Sequence, residues 1–346
     1  MWFLFRNIAK KKYIMGGKAL NRYGVFTERK NTEEFNQIGY EIGVKVFFDL
    51  ALFSHVIKCY NTKADHGDLD LLIKVDIDTN INWNEYIKTA FNPKAVYSNG
   101  GVHSFDYKDF QIDFIPIKAS NWEIAKTYFS FDPLGNIMGK TYHKFGLSYG
   151  WEGLFYKFRN FNGNNSADIL LSADAKKIFE FGGYDYDRYL KGFETLEDIL
   201  KFTIDGKYFD SEMFKIENLK HLDRKRNRKR GSYHIFLNYL TENNIVKEYP
   251  FDRNKDNYLD AINKFFPEAD LMDKLYVLKE KDRLNNVISQ KFNGDIVMSW
   301  LPNLQGKELG IAIGKFKSAL GEDYDNFVLR STYIQIHSRF FEIYNG

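Results

Sequence analysis

The stretch His66-Gly67-Asp68-Leu69-Asp70-Leu71-Leu72-Ile73-Lys74-Val75 joins two carboxylates to a run of branched apolar residues. Such a run is typical of a buried β-strand. Side chains alternate along a strand, so Asp68 and Asp70 point to one face and Leu69 and Leu71 to the other. Two neighbouring negative charges in a buried strand are unfavourable unless a cation compensates them. The stretch therefore predicts a site for a hard divalent cation, most naturally Mg²⁺, which prefers oxygen ligands.

A third carboxylate lies in another strand-like segment. Asp113 is part of Phe110–Ile117, where its neighbours are apolar and an isolated buried charge would be unfavourable. This segment and Val102–Tyr107 are separated by two polar residues, a pattern that predicts a hairpin. If the Asp113 strand lies beside the first strand, Asp68, Asp70 and Asp113 converge. Such a site can hold two Mg²⁺ ions about 3.5 to 4 Å apart and support in-line phosphoryl transfer.

A second Asp-x-Asp motif, Asp76-Ile77-Asp78, serves as an internal comparison. It is followed by Thr79-Asn80, where acidic residues are ordinary solvated turn residues, and we assign it no chemistry. The Asp68 motif differs in the apolar run that follows it. It also differs in the preceding Gly67, which permits close approach of the backbone to a phosphate.

A glycine pair lies near the start of the chain. Tyr13–Leu20 predicts a short strand that breaks at Gly16-Gly17 into the start of a helix. Backbone N–H groups and the helix dipole can hold a phosphate at such a point. Lys18 or Lys63 could neutralise the oxygens of a triphosphate, but either is equally well explained as an ordinary surface lysine.

The segment Asp132–Lys144 predicts a helix, with Asp132 as N-cap and Pro133 at the first helical position. Asn136, Lys140 and Lys144 follow one another at four-residue spacing and share a face of this helix. That face could meet the base or triphosphate of a nucleotide. A simple solvated face is the alternative.

Charge is concentrated in one short segment. The whole chain carries a formal net charge of +3, yet residues 201–230 hold ten Lys or Arg against five Asp or Glu. Most of the excess lies in the basic strip, which we define as Arg224, Lys225, Arg226, Arg228, Lys229 and Arg230. This density predicts contact with nucleic-acid phosphates, and a solvated surface run is the alternative. The aromatic residues around the strip are expected to belong to the core rather than to stack on bases; they are Tyr208, Phe209, Phe214, Tyr233 and Phe236.

The 346 residues exceed the usual size of a single hydrophobic core, so we expect more than one domain. Helical spacing over Thr32–Leu52, with Thr32 as N-cap, precedes the two strand-like pairs, His55–Tyr60 with Leu69–Val75 and the Val102–Ile117 hairpin. Later segments have mostly helical periods. The pattern predicts an α+β fold with a mixed β-sheet followed by mostly helical domains, divided at 1–131, 132–245 and 246–346.

Cysteine content and hydropathy restrict the environment. The single cysteine, Cys59, excludes an internal disulfide and a four-cysteine zinc site. No window reaches 18 uninterrupted apolar residues. We therefore expect a cytoplasmic protein without a membrane partner.

Together, Gly16-Gly17, Asp68-Leu69-Asp70 and the strand-borne Asp113 resemble the signature of the DNA polymerase β-like nucleotidyltransferase superfamily over residues 13–118. Within it, the chain looks most similar to CCA-adding tRNA nucleotidyltransferases and poly(A) polymerases. The resemblance implies Asp68 and Asp70 as metal ligands and Asp113 as the carboxylate that assists deprotonation of the primer hydroxyl. It implies Gly16 and Gly17 as contacts to the incoming nucleotide, although far more residues separate the pair from Asp68 than is usual in the family.

The resemblance implies a Mg²⁺-dependent enzyme that adds nucleoside monophosphate from a nucleoside triphosphate, ATP or CTP, to an RNA 3′ end and releases pyrophosphate. Transfer RNA is the expected acceptor. The alternative is an enzyme of the same fold that modifies a small molecule or a protein. A non-catalytic RNA-binding relative is the third possibility, and the presence of all three aspartates disfavours it.

Overall fold

The computed structural model describes residues 17–76 and 79–346. Gly16, the short strand predicted from Tyr13, and Ile77-Asp78 lie outside the described residues. The strands and helices up to residue 129 are β1 (Lys30–Asn31), α1 (Thr32–Leu50), β2 (Ser54–Val56), β3 (Asp65–His66), β4 (Asp68–Val75), α2 (Trp83–Phe91), β5 (Val96–Asn99), β6 (Val102–Tyr107), β7 (Phe110–Lys118) and α3 (Trp122–Phe129). Those that follow are α4 (Leu134–His143), β8 (Leu147–Gly150), β9 (Gly153–Arg159), β10 (Asn165–Ser172), α5 (Ala175–Gly182), α6 (Tyr186–Leu190), α7 (Leu196–Ile204), α8 (His221–Asn227), α9 (Gly231–Glu242) and α10 (Leu259–Phe265). The remaining helices are α11 (Leu271–Lys291), α12 (Gly294–Trp300), α13 (Gly306–Leu320), α14 (Tyr324–Arg330) and α15 (Tyr333–Asn345).

The chain divides into two compact units. The first contains residues up to Tyr156 together with Leu170–Ala269, and the second contains Lys157–Ile169 and Asp270–Gly346. The division differs from the three expected domains. Position 131 lies inside the first unit, where the backbone N–H of Phe131 donates to the carbonyl of Lys58. The later boundary falls at 269 rather than 245.

Aromatic packing explains the later boundary. Phe265 and Phe266 follow position 245 in the chain, yet both rings lie against Phe181 of α5, at centroid distances of 5.4 and 5.3 Å. These contacts hold α10 in the first unit. The second unit has its own apolar core, centred on the buried rings of Phe292, Phe316 and Phe340.

A mixed five-stranded sheet organises the first part of the chain. Its strand order is β2-β4-β7-β6-β5, with β4 and β7 parallel and the other neighbours antiparallel. The predicted hairpin is confirmed: β6 and β7 are joined by Lys108 and Asp109, both with positive φ. The predicted first strand ends earlier, at Val56, because the backbone then leaves the sheet and Lys58 bonds to Ser130 and Phe131. The α+β fold class is confirmed.

The two faces of the sheet have different partners. Leu69, Leu71 and Ile73 of β4 pack in one core with α1 and α2, and Leu72 packs on the other face with Ala125 of α3. The helix predicted from Thr32 is confirmed as α1. Its N-cap is Asn31 rather than Thr32, and Asn31 forms a capping box with Glu34. Asp68 and Asp70 lie at the start of β4, and their side chains point to the face of the sheet opposite α1.

The region expected to be mostly helical contains a second sheet. Strands β8, β9 and β10 form a three-stranded sheet in the order β10-β9-β8, which the sequence reading did not anticipate. The aromatic residues near the basic strip do form a core, as expected: Phe209, Phe214, Tyr233 and Phe236 are buried together. Tyr208 is half-buried and packs on Phe145.

Two expectations for α4 were wrong. Pro133 occupies the N-cap position and Leu134 begins the helix, so Asp132 is not the cap. Asp132 instead faces Arg230, with 3.6 Å between carboxylate and guanidinium. Among residues 17–76 and 79–346, no helix has the length and apolar character needed to cross a membrane.

Candidate active site

The register of β4 and β7 brings the three carboxylates together. Asp70 is paired with Asp113, and Asp68 with Gln111. Paired residues of neighbouring parallel strands point to the same face, and so do residues two positions apart on one strand. Asp68, Asp70 and Asp113 accordingly line one cavity of about 640 Å³.

Burial makes this group of charges costly. Burial raises the pKa of Asp70 well above its usual range, and the neighbouring carboxylates of Asp68 and Asp113 raise it further. The pKa of Asp68 is also raised by burial, although the N–H of Gly17 opposes the shift. Burial and then the charge of Asp68 raise the pKa of Asp113 to about 6. A cation bound between these groups would remove the repulsion.

The donor chemistry fits a hard divalent cation, since all three side chains offer oxygen. As they lie, the side chains of the described residues include no group of three His, Cys, Asp or Glu arranged to hold a metal ion. Asp68 accepts a hydrogen bond from Gly17, and Asp113 accepts two from Gln111. Ligation by Asp68, Asp70 and Asp113 stays a prediction.

The glycine segment lies directly on the carboxylate strands despite its distance in sequence. The N–H of Gly17 donates to Oδ2 of Asp68 at 3.1 Å across 51 positions, and the N–H of Ala19 donates to Oε1 of Gln111 at 2.9 Å. Gly17 has φ +71°, and a Cβ there would lie 2.4 Å from the carbonyl oxygen of Gly67. Gly67 thus packs against Gly17 and is not one of the residues lining the cavity.

The predicted helix start at Lys18–Leu20 is wrong. A single 3₁₀ turn forms at Asn21–Tyr23 and ends at Gly24, so no helix dipole points toward the carboxylates from this segment. Instead, the N–H groups of Gly17 and Ala19 bond to side chains of the sheet. Lys18 does line the cavity, as does Lys63, whose charge lowers the pKa of Asp68 and Asp70 against the effect of burial.

Gln111 is a site residue that the sequence reading missed. It is almost completely buried, and its Nε2 donates to Oδ1 and Oδ2 of Asp113 at 3.0 and 3.1 Å. The available signal was its position two residues before Asp113, which places both side chains on one face of β7.

The face formed by Asn136, Lys140 and Lys144 does not reach the cavity. Lys140 is buried, lies 3.6 Å from Asp223 and is positioned over the ring of Tyr233. Lys144 lies over the ring of Phe251. The Nδ2 of Asn136 is buried without a hydrogen-bond partner among the described residues. These contacts show that the face is not a simple solvated one, and its contact with a nucleotide stays a prediction.

The structure sorts the basic strip into three groups. Arg224 turns inward and donates to the carbonyls of Glu217 and Leu219 at 3.0 and 2.9 Å, so its guanidinium is occupied within the protein. The side chains exposed to solvent beyond the cavity are those of Lys225, Arg226 and Arg228. Lys229 and Arg230 line the same cavity as the aspartates, where the first turn of α9 also contributes Gly231 and Ser232.

No family model matches the chain, and no curated protein matches it. Solved structures of polymerase beta from Leishmania infantum do match part of it. The ternary P/T complex gives a TM-score of 0.35 at 14% identity, over 48% of this chain and 76% of the polymerase chain. The ternary gap complex gives a TM-score of 0.31 at 15% identity, over 38% of this chain and 52% of the polymerase chain. The closer likeness to CCA-adding enzymes and poly(A) polymerases stays a prediction.

Replacing Asp70 by Asn is expected to stabilise the metal-free protein at pH 7.5 by more than the roughly 0.5 kcal/mol typical of a surface substitution. The reason is that burial and the neighbouring carboxylates raise the pKa of Asp70 and disfavour its charged form in the folded state. A carboxylate with a raised pKa destabilises the folded state once the pH exceeds its unfolded value. The gain should therefore shrink as the pH falls through the unfolded pKa of about 3.9 and vanish below about pH 3, where Asp70 is protonated in both states. Urea unfolding of the variant and the unaltered protein in EDTA measures this difference in the free energy of unfolding.

The matched control for this variant is Asp76→Asn, which removes an exposed carboxylate just beyond the end of the same strand. It should change the free energy of unfolding by less than about 0.5 kcal/mol at either pH. Equal effects of the two substitutions would contradict the charge crowding at Asp70.

Gly17→Ala should destabilise the protein more than Gly24→Ala by about 1 to 3 kcal/mol. Both glycines have φ near +70°, so both variants incur the same left-handed backbone strain. Only the Cβ at position 17 meets another atom, the carbonyl oxygen of Gly67, whereas nothing lies within 4 Å at position 24. Thermal unfolding compares them, and similar losses would show that Gly17 does not lie against Gly67.

Proposed function

We propose that this protein is a metal-dependent nucleotidyltransferase that moves a nucleoside monophosphate from a nucleoside triphosphate to the 3′ end of RNA. One observation carries the proposal: a cavity with three converging carboxylates on one wall also receives the end of the basic strip. Asp68, Asp70 and Asp113 suit cations and proton transfer, and Lys229 and Arg230 suit phosphates.

The reaction breaks one phosphoanhydride bond and forms one phosphodiester bond. The 3′ oxygen of the acceptor attacks the α-phosphorus, the bond to the β-phosphate breaks, and pyrophosphate leaves. Asp113 accepts the hydroxyl proton, and its pKa of about 6 leaves it ionised at neutral pH. Lys18 and Lys63 offset the charge of the triphosphate.

Asp68 and Asp70 are the residues that would hold Mg²⁺, with Asp113 completing the set for a second ion. Bound Mg²⁺ would stabilise charge on the phosphates and lower the pKa of the attacking hydroxyl. The chain itself supplies the aligned carboxylates and the partly enclosed cavity. ATP and CTP are the triphosphates to test first.

The basic strip favours a polymeric acceptor over a small one. Lys225, Arg226 and Arg228 are exposed, whereas Lys229 and Arg230 line the cavity, so positive charge continues from solvent to the carboxylates. A phosphodiester backbone can use this whole path. Transfer RNA is the first acceptor to test, on the strength of the sequence resemblance.

A small-molecule acceptor is the second candidate, since a cavity of about 640 Å³ is of the size that holds small ligands. Incubation with Mg²⁺, each labelled NTP, total RNA and a small-molecule extract separates the candidates. We expect labelled RNA, no label with Asp70→Ala, and unchanged labelling with Asp76→Ala. Label on a small molecule or a protein would show that this compound, and not RNA, is the acceptor. Activity retained by Asp70→Ala, or no labelled product from the unaltered protein, would refute the proposal.

Removing the three exposed charges of the strip that lie outside the cavity should weaken RNA binding in a salt-dependent way. For single-stranded RNA, each phosphate contact adds about 0.7 to the magnitude of the negative slope of log affinity against log salt. Replacing Lys225, Arg226 and Arg228 by Ala should therefore reduce that magnitude by about 2. Fluorescence anisotropy with a labelled RNA, measured at KCl concentrations from about 50 to about 200 mM, gives the slope.

The control removes equal charge from the second unit, at the exposed residues Lys279, Lys281 and Lys307. This control variant should give a salt slope within about 0.5 of the slope of the unaltered protein. A slope unaffected by the strip substitutions would remove RNA from this surface.

A further inference from the structure

One buried side chain bridges the glycine segment and the third carboxylate. Gln111 accepts the N–H of Ala19 at its Oε1 and donates from its Nε2 to both oxygens of Asp113. The amide is planar, so its two ends move as one group. A displacement of Ala19 can therefore be transmitted through Gln111 to the hydrogen bonds on Asp113.

The bridge is built from a neutral group, and this matters for a carboxylate that has to act on a substrate. A lysine or arginine in place of Gln111 would neutralise Asp113 and compete with a cation for it. An amide orients the carboxylate and leaves its charge available. The hydroxyl of Ser104, on the opposite neighbouring strand, holds Asp113 in the same neutral way.

We propose that Gln111 is a positioning residue that couples nucleotide binding at Gly17–Ala19 to the orientation of Asp113. This inference rests on the proposed function and adds a regulatory link within that site. A nucleotide that displaces the segment shifts Gln111, which then releases or reorients Asp113 for the acceptor hydroxyl. Gln111 itself touches no reacting atom in this scheme.

Two substitutions separate this role from simple packing. Gln111→Glu retains an acceptor for Ala19 but loses the donor to Asp113, whereas Gln111→Met retains the volume and loses both bonds. If Gln111 positions Asp113, both variants lose about a hundredfold in kcat, while the Kd for RNA stays within about threefold. If it only anchors Ala19, Gln111→Glu transfers nearly as well as the unaltered protein, which overturns the proposal.

The matched controls are Gln37→Glu and Gln37→Met. Gln37 is an exposed residue of α1 whose amide donates to Glu41 at 3.1 Å, so it has the same chemistry outside the cavity. Both control variants should keep kcat within about twofold. Melting temperatures of all four variants show whether a loss of rate reflects loss of the fold.

The coupling itself is tested without turnover. Titration calorimetry measures the Kd of ATP and of CTP, with Mg²⁺ and no acceptor, for the unaltered protein, Asp113→Asn, Gln111→Met and the double variant. Coupling predicts that the effect of Asp113→Asn on Kd changes by about threefold or more when Gln111 is replaced. Additive effects, or no nucleotide binding by the unaltered protein, overturn the inference. Coupled binding with no labelled product would refute the proposed function alone.

Discussion

The parallel pairing of β4 with β7 is the constraint on which the site depends. The pairing sets Asp70 beside Asp113 and Asp68 beside Gln111. A shift of one residue in this register would turn every side chain of one strand to the opposite face. The carboxylates of that strand would then lie on the side of the sheet that packs against α1, among apolar residues. The apolar residues that alternate with them, Leu69 and Leu71, hold the register because each is fully buried on that side.

The architecture separates stability from chemistry. The face of the sheet covered by α1 and α2 supplies a continuous aromatic and aliphatic core. The opposite face is covered by α3 only near the ends of β4 and β7, around Leu72 and Ile117, and the beginning of both strands opens into the cavity. Like charges at that opening oppose folding, and the apolar face offsets them. Active sites commonly concentrate such unfavourable charge where a substrate or ion will relieve it.

Alternation along a strand was enough to predict that Asp68 and Asp70 share a face, and the apolar surroundings of Asp113 were enough to place it on a strand. The pairing of that strand with β4 entered only as a condition, because strand neighbours depend on the whole fold. Gln111 was missed because an uncharged side chain in a strand gives no electrostatic signal, although its spacing to Asp113 was visible. Helical spacing shows which residues share a face and not what that face packs against, so it left both a nucleotide contact and a solvated face open for Asn136, Lys140 and Lys144. The buried pairing of Lys140 with Asp223 depends on residues more than 80 positions away in sequence.

The bonds from Gly17 to Asp68 and from Ala19 to Gln111 join residues 51 and 92 positions apart. Contacts of such sequence separation form late, because the entropy of closing a long loop has to be overcome first. During synthesis, the ribosome must have released the chain beyond β7 before the glycine segment can find its partners. A nascent or truncated chain that ends before β7 therefore lacks the assembled cavity, whatever the state of its first helix.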